Sequence, residues 1–137
     1  MRSRRTVALW AAAIGYAVAI FVLSSFPVLG PAQETLALVG DKALHAAEYA
    51  GFASLLALAI ATTPSATIRS WTALIALLGA VVYAASDELH QTFVTGRSGD
   101  LMDLVADAAG ASVAVIVYQA WRWRVSRAAP VSETSPR

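Results

Sequence analysis

Residues 83–107 read YAASDELHQTFVTGRSGDLMDLVAD, and in this stretch acids, a histidine and an arginine crowd into a chain that is otherwise hydrocarbon. Asp87, Glu88, His90, Gln91, Arg97, Asp100, Asp103 and Asp107 lie between two strongly apolar segments. Ionisable groups in such surroundings are expensive, about 2.5 to 3.5 kcal/mol each near a bilayer centre, so they imply mutual pairing, a water-filled pocket or a function. Gly96 and Gly99 make the short connection flexible, and Asp100 opens the next helix.

Working outward, the whole chain of 137 residues is 58% apolar and only 14% charged. That is too apolar for an ordinary soluble domain, whose apolar share is nearer half, and it predicts an all-α membrane protein. With no cysteine in the chain, disulfides and thiolate metal sites are excluded.

Four apolar segments predict a bundle of four transmembrane helices, at about 6–23, 43–61, 70–87 and 101–121. The first follows MRSRR and is longer than a signal-peptide core, with no small-x-small cleavage site directly after it, so it is read as a retained span. Pro27, Gly30, Pro31 and Gly40 break the chain into a loop, with a short surface helix expected near Thr35–Val39. Gly40-Asp41 then reads as a helix start at which the Asp side chain caps free amides, and Gly99-Asp100 repeats it. The apolar run from Trp71 to Ser86 rises only about 24 Å, short of a hydrocarbon core of about 30 Å. Either that helix begins before Arg69, or the turns bearing Asp87 to Gln91 enter the membrane boundary. Tyr118, Trp121 and Trp123, interleaved with Arg122, Arg124 and Arg127, form an interfacial belt. Residues 1–127 make one transmembrane domain, and 128–137 a disordered cytoplasmic tail.

With both termini in the cytoplasm, eight basic residues fall inside and only Lys42 and Arg97 outside, as the positive-inside rule prefers. The start of the second helix, the end of the third and the start of the fourth then share the outer side. Asp41, His45 and Glu48, spaced i, i+4, i+7, share one helical face, with Tyr49 beside them. Tyr83, Asp87, His90 and Gln91 form a comparable stripe, and Asp100, Asp103 and Asp107 a third. In this layer Asp41, Glu48, Asp87, Glu88, Asp100, Asp103 and Asp107 give seven acids against the two cations Lys42 and Arg97. The excess is to be offset by protonation, by a bound divalent metal or by a cationic ligand group.

Several readings stay open for these residues. As structure, Asp41 and Asp100 cap helices while Lys42 and Arg97 neutralise carboxylates. As a metal site, His45, Glu48, Asp87, Glu88 and His90 offer a mixed N/O set suited to zinc or manganese, although no HExxH helix is present. Arg97 either holds an anion or pairs with a nearby acid. Tyr49, Phe52, Tyr83 and Phe93 either cradle a lipid or pack the interior. Ala106, Gly110 and Ala114, small at four-residue spacing, predict a close helix contact.

The blocks DKALHAAEYAGF (41–52) and YAASDELHQTFVTGRSGDLMDLVADAAGA (83–111) resemble the VanZ-like family of bacterial membrane proteins. Its recurring pattern is D-K-x-x-H-x-x-x-[YF], then D-E-x-x-Q-x-F-x-x-x-R, then D-x-x-x-N-x-x-G. Asp41, Lys42, His45, Tyr49, Asp87, Glu88, Gln91, Phe93, Arg97, Asp103 and Gly110 fall on it, while Asp107 stands where the family commonly has Asn. The resemblance covers about the last three helices and implies a multi-pass protein of the bacterial inner membrane, in a family whose name-giving member is associated with teicoplanin resistance. On that basis the pocket of Asp41, Lys42, His45, Glu48, Tyr49, Tyr83, Asp87, Glu88, His90, Gln91, Arg97, Asp100, Asp103 and Asp107 is expected to bind a lipid-linked cell-envelope precursor or a glycopeptide-type ligand. A metal-dependent enzyme acting on an envelope lipid and a proton-coupled carrier are the alternatives. Nucleic acid is not an expected partner, because topology explains the basic residues.

Overall fold

The computed structural model describes residues 2–27 and 40–128, and these form an all-α protein with no strand among them. In chain order the helices are α1 (Arg2–Ser24), α2 (Asp41–Ile60), α3 (Ala66–Ser70), α4 (Thr72–Gln91) and α5 (Leu101–Ala128). Four of them, all but α3, are long and apolar enough to cross a membrane. The surface helix expected near Thr35–Val39 and the tail beyond Ala128 lie outside the described residues.

Local chemistry sets the helix ends. The chain leaves α2 through Thr62 and Thr63, and Ser65 caps α3 by accepting from the Ile68 amide at 3.3 Å. Arg69 donates to the carbonyls of Thr63 and Pro64 at 2.7 and 2.6 Å, so it ties the turn rather than extending α4 backward. Instead α4 gains length at its other end and stays helical through Asp87 to Gln91. Its 20 residues rise about 30 Å, enough to span the hydrocarbon. α5 runs on to Ala128, one to two turns past the predicted end, and Arg127 stacks over the Trp123 ring at 3.8 Å.

The two Gly-Asp starts differ. Asp100 does cap α5, its Oδ1 accepting from the Met102 amide at 2.8 Å. Asp41, expected to cap α2, does not: Gly40 occupies the cap position with φ 86 and no side-chain cap bond forms. The left-handed backbone at Gly40 turns Asp41 into the first helical residue, where its carboxylate faces Lys42 and His45 instead.

Small residues govern the packing. A Cβ placed on Gly110 of α5 would stand 1.9 Å from the Ala46 carbonyl oxygen of α2, so the two backbones touch as the small-residue spacing predicted. Ala53 and Ala57 of α2, Ala76, Ala80 and Ala84 of α4, and Ala111 of α5 are fully enclosed. Phe52 fills the middle, packed against Tyr16, Tyr49 and Tyr83 with centroids 5.1 to 6.3 Å apart. α1 lies at the edge against α2 and α4, burying Ala13, Ile20 and Ser24 and turning Val7, Ile14, Val18 and Val22 outward. Exposed side chains of that kind on every span are what lipid contact requires.

Two outcomes test this packing. Gly110→Ala should destabilise the folded protein by about 3 kcal/mol or more, the upper end of overpacking costs, because the clash is with backbone. Gly15→Ala, with nothing within 4 Å, should be neutral or slightly stabilising. Unfolding titrations in mixed micelles compare the two. Because Lys42 and Arg97 lie at one end of the bundle, single cysteines replacing them in this cysteine-free chain should react with an impermeant maleimide from the same side of the membrane.

Candidate functional site

The polar residues gather at the end of the bundle where α1 and α4 finish and α2 and α5 begin. At the outer edge of this layer, Lys42 Nζ donates to Asp100 Oδ2 at 2.6 Å and to Asp103 Oδ1, with Asp41 Oδ2 at 3.8 Å. The Lys42 ammonium and the Met102 amide hold the Asp100 carboxyl below its ordinary range. α2 and α5 are thus pinned by one cation between carboxylates from both helices.

Deeper in, His45 stands between two sets of acids. Its Nδ1 is 3.0 Å from Asp107 Oδ1, while its Nε2 faces Asp103 Oδ2 at 3.8 Å and Asp41 Oδ1 at 4.0 Å. Asp107 is almost completely buried, at 1% exposed. Glu88 reaches the same place from α4 and is fixed through one oxygen, Oε2 accepting from the Asp100 amide at 2.8 Å. Gly99 permits that, since a Cβ there would meet the Glu88 carbonyl at 2.8 Å. Among the described residues four buried side-chain polar atoms have no partner, and three of them belong to this layer: Tyr49 Oη, Glu88 Oε1 and Asp107 Oδ2. An unmet buried group costs about 1 to 3 kcal/mol, and more when charged.

On the other flank the sequence missed a helix. Ser24 of α1 donates to Asp87 Oδ1 at 2.6 Å, and Gln91 donates to Asp87 Oδ2 at 3.0 Å, so both oxygens of this buried carboxylate are satisfied. His90 belongs to α1 as well: its Nε2 lies 3.0 Å from Ser25 Oγ and its ring stacks on Phe21 at 4.5 Å. Tyr83 donates to the Ala17 carbonyl at 2.6 Å, and Tyr16 donates to the Glu48 carbonyl. Among the described residues Arg97 pairs with no acid, and it does not float in its loop. It donates to the Leu23 and Phe26 carbonyls at 3.0 and 2.9 Å, closing the free end of α1. The expected set His45, Glu48, Asp87, Glu88 and His90 is therefore split: His45 and Glu88 converge with Asp107, whereas Asp87 and His90 turn to α1. Ser24-Ser25, two hydroxyls closing an apolar span on the shared side, was the available signal.

Between the flanks is a half-enclosed cavity of about 60 Å³, room for a few water-sized groups. Ile20 and Leu23 form its apolar wall, and Ser24, His45, Glu48, Asp87, Gln91 and Arg97 the polar one. Tyr49 and Phe52 are packing residues, and Phe93 is 80% exposed.

A family model described as VanZ/LLP1 matches residues 13–122. The chain belongs to the VanZ/LLP1 family. The match takes in the second half of α1, so the VanZ unit includes the part of the helix that supplies Ser24, beyond the last three helices. No curated protein and no solved structure matches the chain. In this VanZ-family member Asp107 places a buried carboxylate beside His45.

A pH experiment follows from Asp100. Its carboxyl is depressed in the folded protein, so its stabilising effect is complete above the ordinary aspartate value of 3.8 and is lost as pH falls through the lower folded value. Asp100→Asn should lower the thermal midpoint relative to wild type near neutral pH, and the difference should shrink below about pH 4. A gap unchanged down to the acid limit would show that the charge of the carboxylate, toward Lys42 or toward the Met102 amide, contributes nothing.

Proposed function

We propose that this VanZ-family protein binds the polar head of a lipid-linked cell-envelope component at the extracytoplasmic face of the bacterial inner membrane. The observation that carries the reading is the cavity between α1, α2 and α4. One wall is apolar and continuous with the outward-facing side chains Phe21, Val22 and Leu23, and the other carries carboxylates, amide, hydroxyl and guanidinium. That pairing suits an amphiphile whose chain lies along α1 in the bilayer while its head enters between the helices.

Size favours a lipid head over a whole antibiotic. Drug-sized ligands occupy pockets of about 300 to 1,000 Å³, whereas this cavity of about 60 Å³ admits one compact group such as a phosphate or an ammonium. Arg97 uses two of its N–H groups on backbone carbonyls and still lines the cavity, so it can meet an anionic head. Asp87 and Glu48 opposite suit hydroxyl or amine groups on the same head. Glycopeptide resistance in the family would then follow from what happens to an envelope lipid, without any grip on the drug.

The test is the lipid that stays with full-length protein purified in mild detergent, identified by mass spectrometry of the extract. Wild type should retain one anionic lipid class, and Arg97→Ala should lower its occupancy by about tenfold or more. Asp87→Asn should do the same while helix content and membrane insertion are unchanged. Identical lipid profiles in all three proteins would defeat the reading, as would a variant whose loss of lipid tracks loss of helix.

A further inference from the structure

We propose that His45 Nδ1, Glu88 and Asp107 form a divalent-cation site of the zinc or manganese class, buried between α2, α4 and α5. One ligand atom from each residue lies within 4.8 Å of the others. The inference goes beyond lipid binding and rests on a different observation: two buried oxygens that no described residue satisfies.

Glu88 Oε1 and Asp107 Oδ2 have no hydrogen-bond partner, and their side chains are 9% and 1% exposed. Neither residue is idle by accident of a loose rotamer. The Asp100 amide holds Glu88 through its other oxygen, and the other oxygen of Asp107 stands 3.0 Å from His45 Nδ1, a hydrogen bond that a cation on Nδ1 would replace. Each carboxylate thus keeps one buried oxygen unengaged. Burial of two acids beside one imidazole demands positive charge, and Lys42 lies outside, engaged with Asp100 and Asp103. Arg97 is turned to α1.

The far side of the imidazole faces a carboxylate of the kind metal-bound histidines use, beyond hydrogen-bond distance in this structure. A ligating histidine donates its second N–H to a carboxylate, which fixes its tautomer and strengthens its ligating nitrogen. With Nδ1 on the cation, His45 Nε2–H points to Asp103 Oδ2 at 3.8 Å, and Asp103 is in turn anchored by Lys42. Two donors on one ion of this class stand no more than about 4.4 Å apart, so the three side chains need to close by about half an ångström. One imidazole with two carboxylates is a borderline N/O set, which suits zinc or manganese better than magnesium or calcium. Three protein ligands leave a coordination position free for water or for a ligand oxygen.

A second group, Asp41, His45 and Asp103, shares the histidine but uses Nε2. Its acids are engaged by Lys42, and Asp41 is exposed, so it lacks the unmet oxygens that distinguish the inner group.

Full-length protein in detergent, stripped with chelator, is dialysed against zinc or manganese alone and analysed for bound metal. Wild type should take up one ion per chain. Asp107→Asn and Glu88→Gln should each weaken uptake by about 100-fold, while Asp41→Asn, which touches only the outer group, should change it by less than about tenfold. Circular dichroism and elution volume report whether each variant is folded. Should Asp107→Asn fail to fold, Glu88→Gln decides, together with the 15N shift of the His45 Nδ1 on adding zinc to the wild type. The proposal is overturned if wild type binds neither metal, if folded Glu88→Gln binds as tightly as wild type, or if the loss follows Asp41→Asn instead. None of these outcomes depends on whether a lipid binds.

Discussion

The contact of α2 and α5 at Ala46 and Gly110 is the constraint on which the polar end of this protein depends. Two helix backbones meet there with no side-chain carbon between them, which is closer than any pair of larger residues allows. One turn toward the polar end from that point, His45 and Asp107 are forced to within hydrogen-bond distance. A further turn along, Lys42 reaches Asp103 and Asp100. Separated by another residue's width, these carboxylates would each face solvent or lipid alone, at a cost no hydrogen bond in the layer would offset.

Hydropathy made the fold legible. Four apolar runs and their alternation through the membrane predicted which helix ends share a side, because lipid permits few ways to satisfy a buried backbone. The three polar stripes were legible for the same reason, since i, i+4 and i+7 on a helix cannot diverge. What escaped was directional. Asp41 and Asp100 stand in identical Gly-Asp dipeptides, yet only Asp100 caps, because Gly40 takes a left-handed conformation that pattern alone does not announce. Glu88 and Asp87 are neighbours, and helical geometry sends one to His45 and the other to Ser24. A metal set that includes both conceals that they serve opposite flanks.

α1 was the larger gap. Its sequence is nearly featureless, and the motifs of the VanZ family lie in the other spans, so nothing but Ser24-Ser25 marked it as part of the site. In the structure it contributes the partner of Asp87, the stacking face for His90 and the carbonyls that hold Arg97. A loop arginine that reads as a free positive charge proves to be the clasp of the first helix. The polar layer therefore has two halves of different character. One is an ionic knot between α2 and α5, and the other a set of neutral and charge-assisted hydrogen bonds to α1.

That division has a bearing on how the molecule is made. α1 is made before the other described spans, but it buries little surface of its own, and the groups that hold its end, Asp87 and Arg97, are synthesised more than sixty residues later. Its packing on α2 forms first, through Tyr16 against Phe52 and the Glu48 carbonyl, but its end stays unheld until α4 presents Asp87 and the loop after it presents Arg97. Fastening the end of α1 is then a late step among these spans, and the cavity beside it does not exist until α4 and the loop bearing Arg97 have been made.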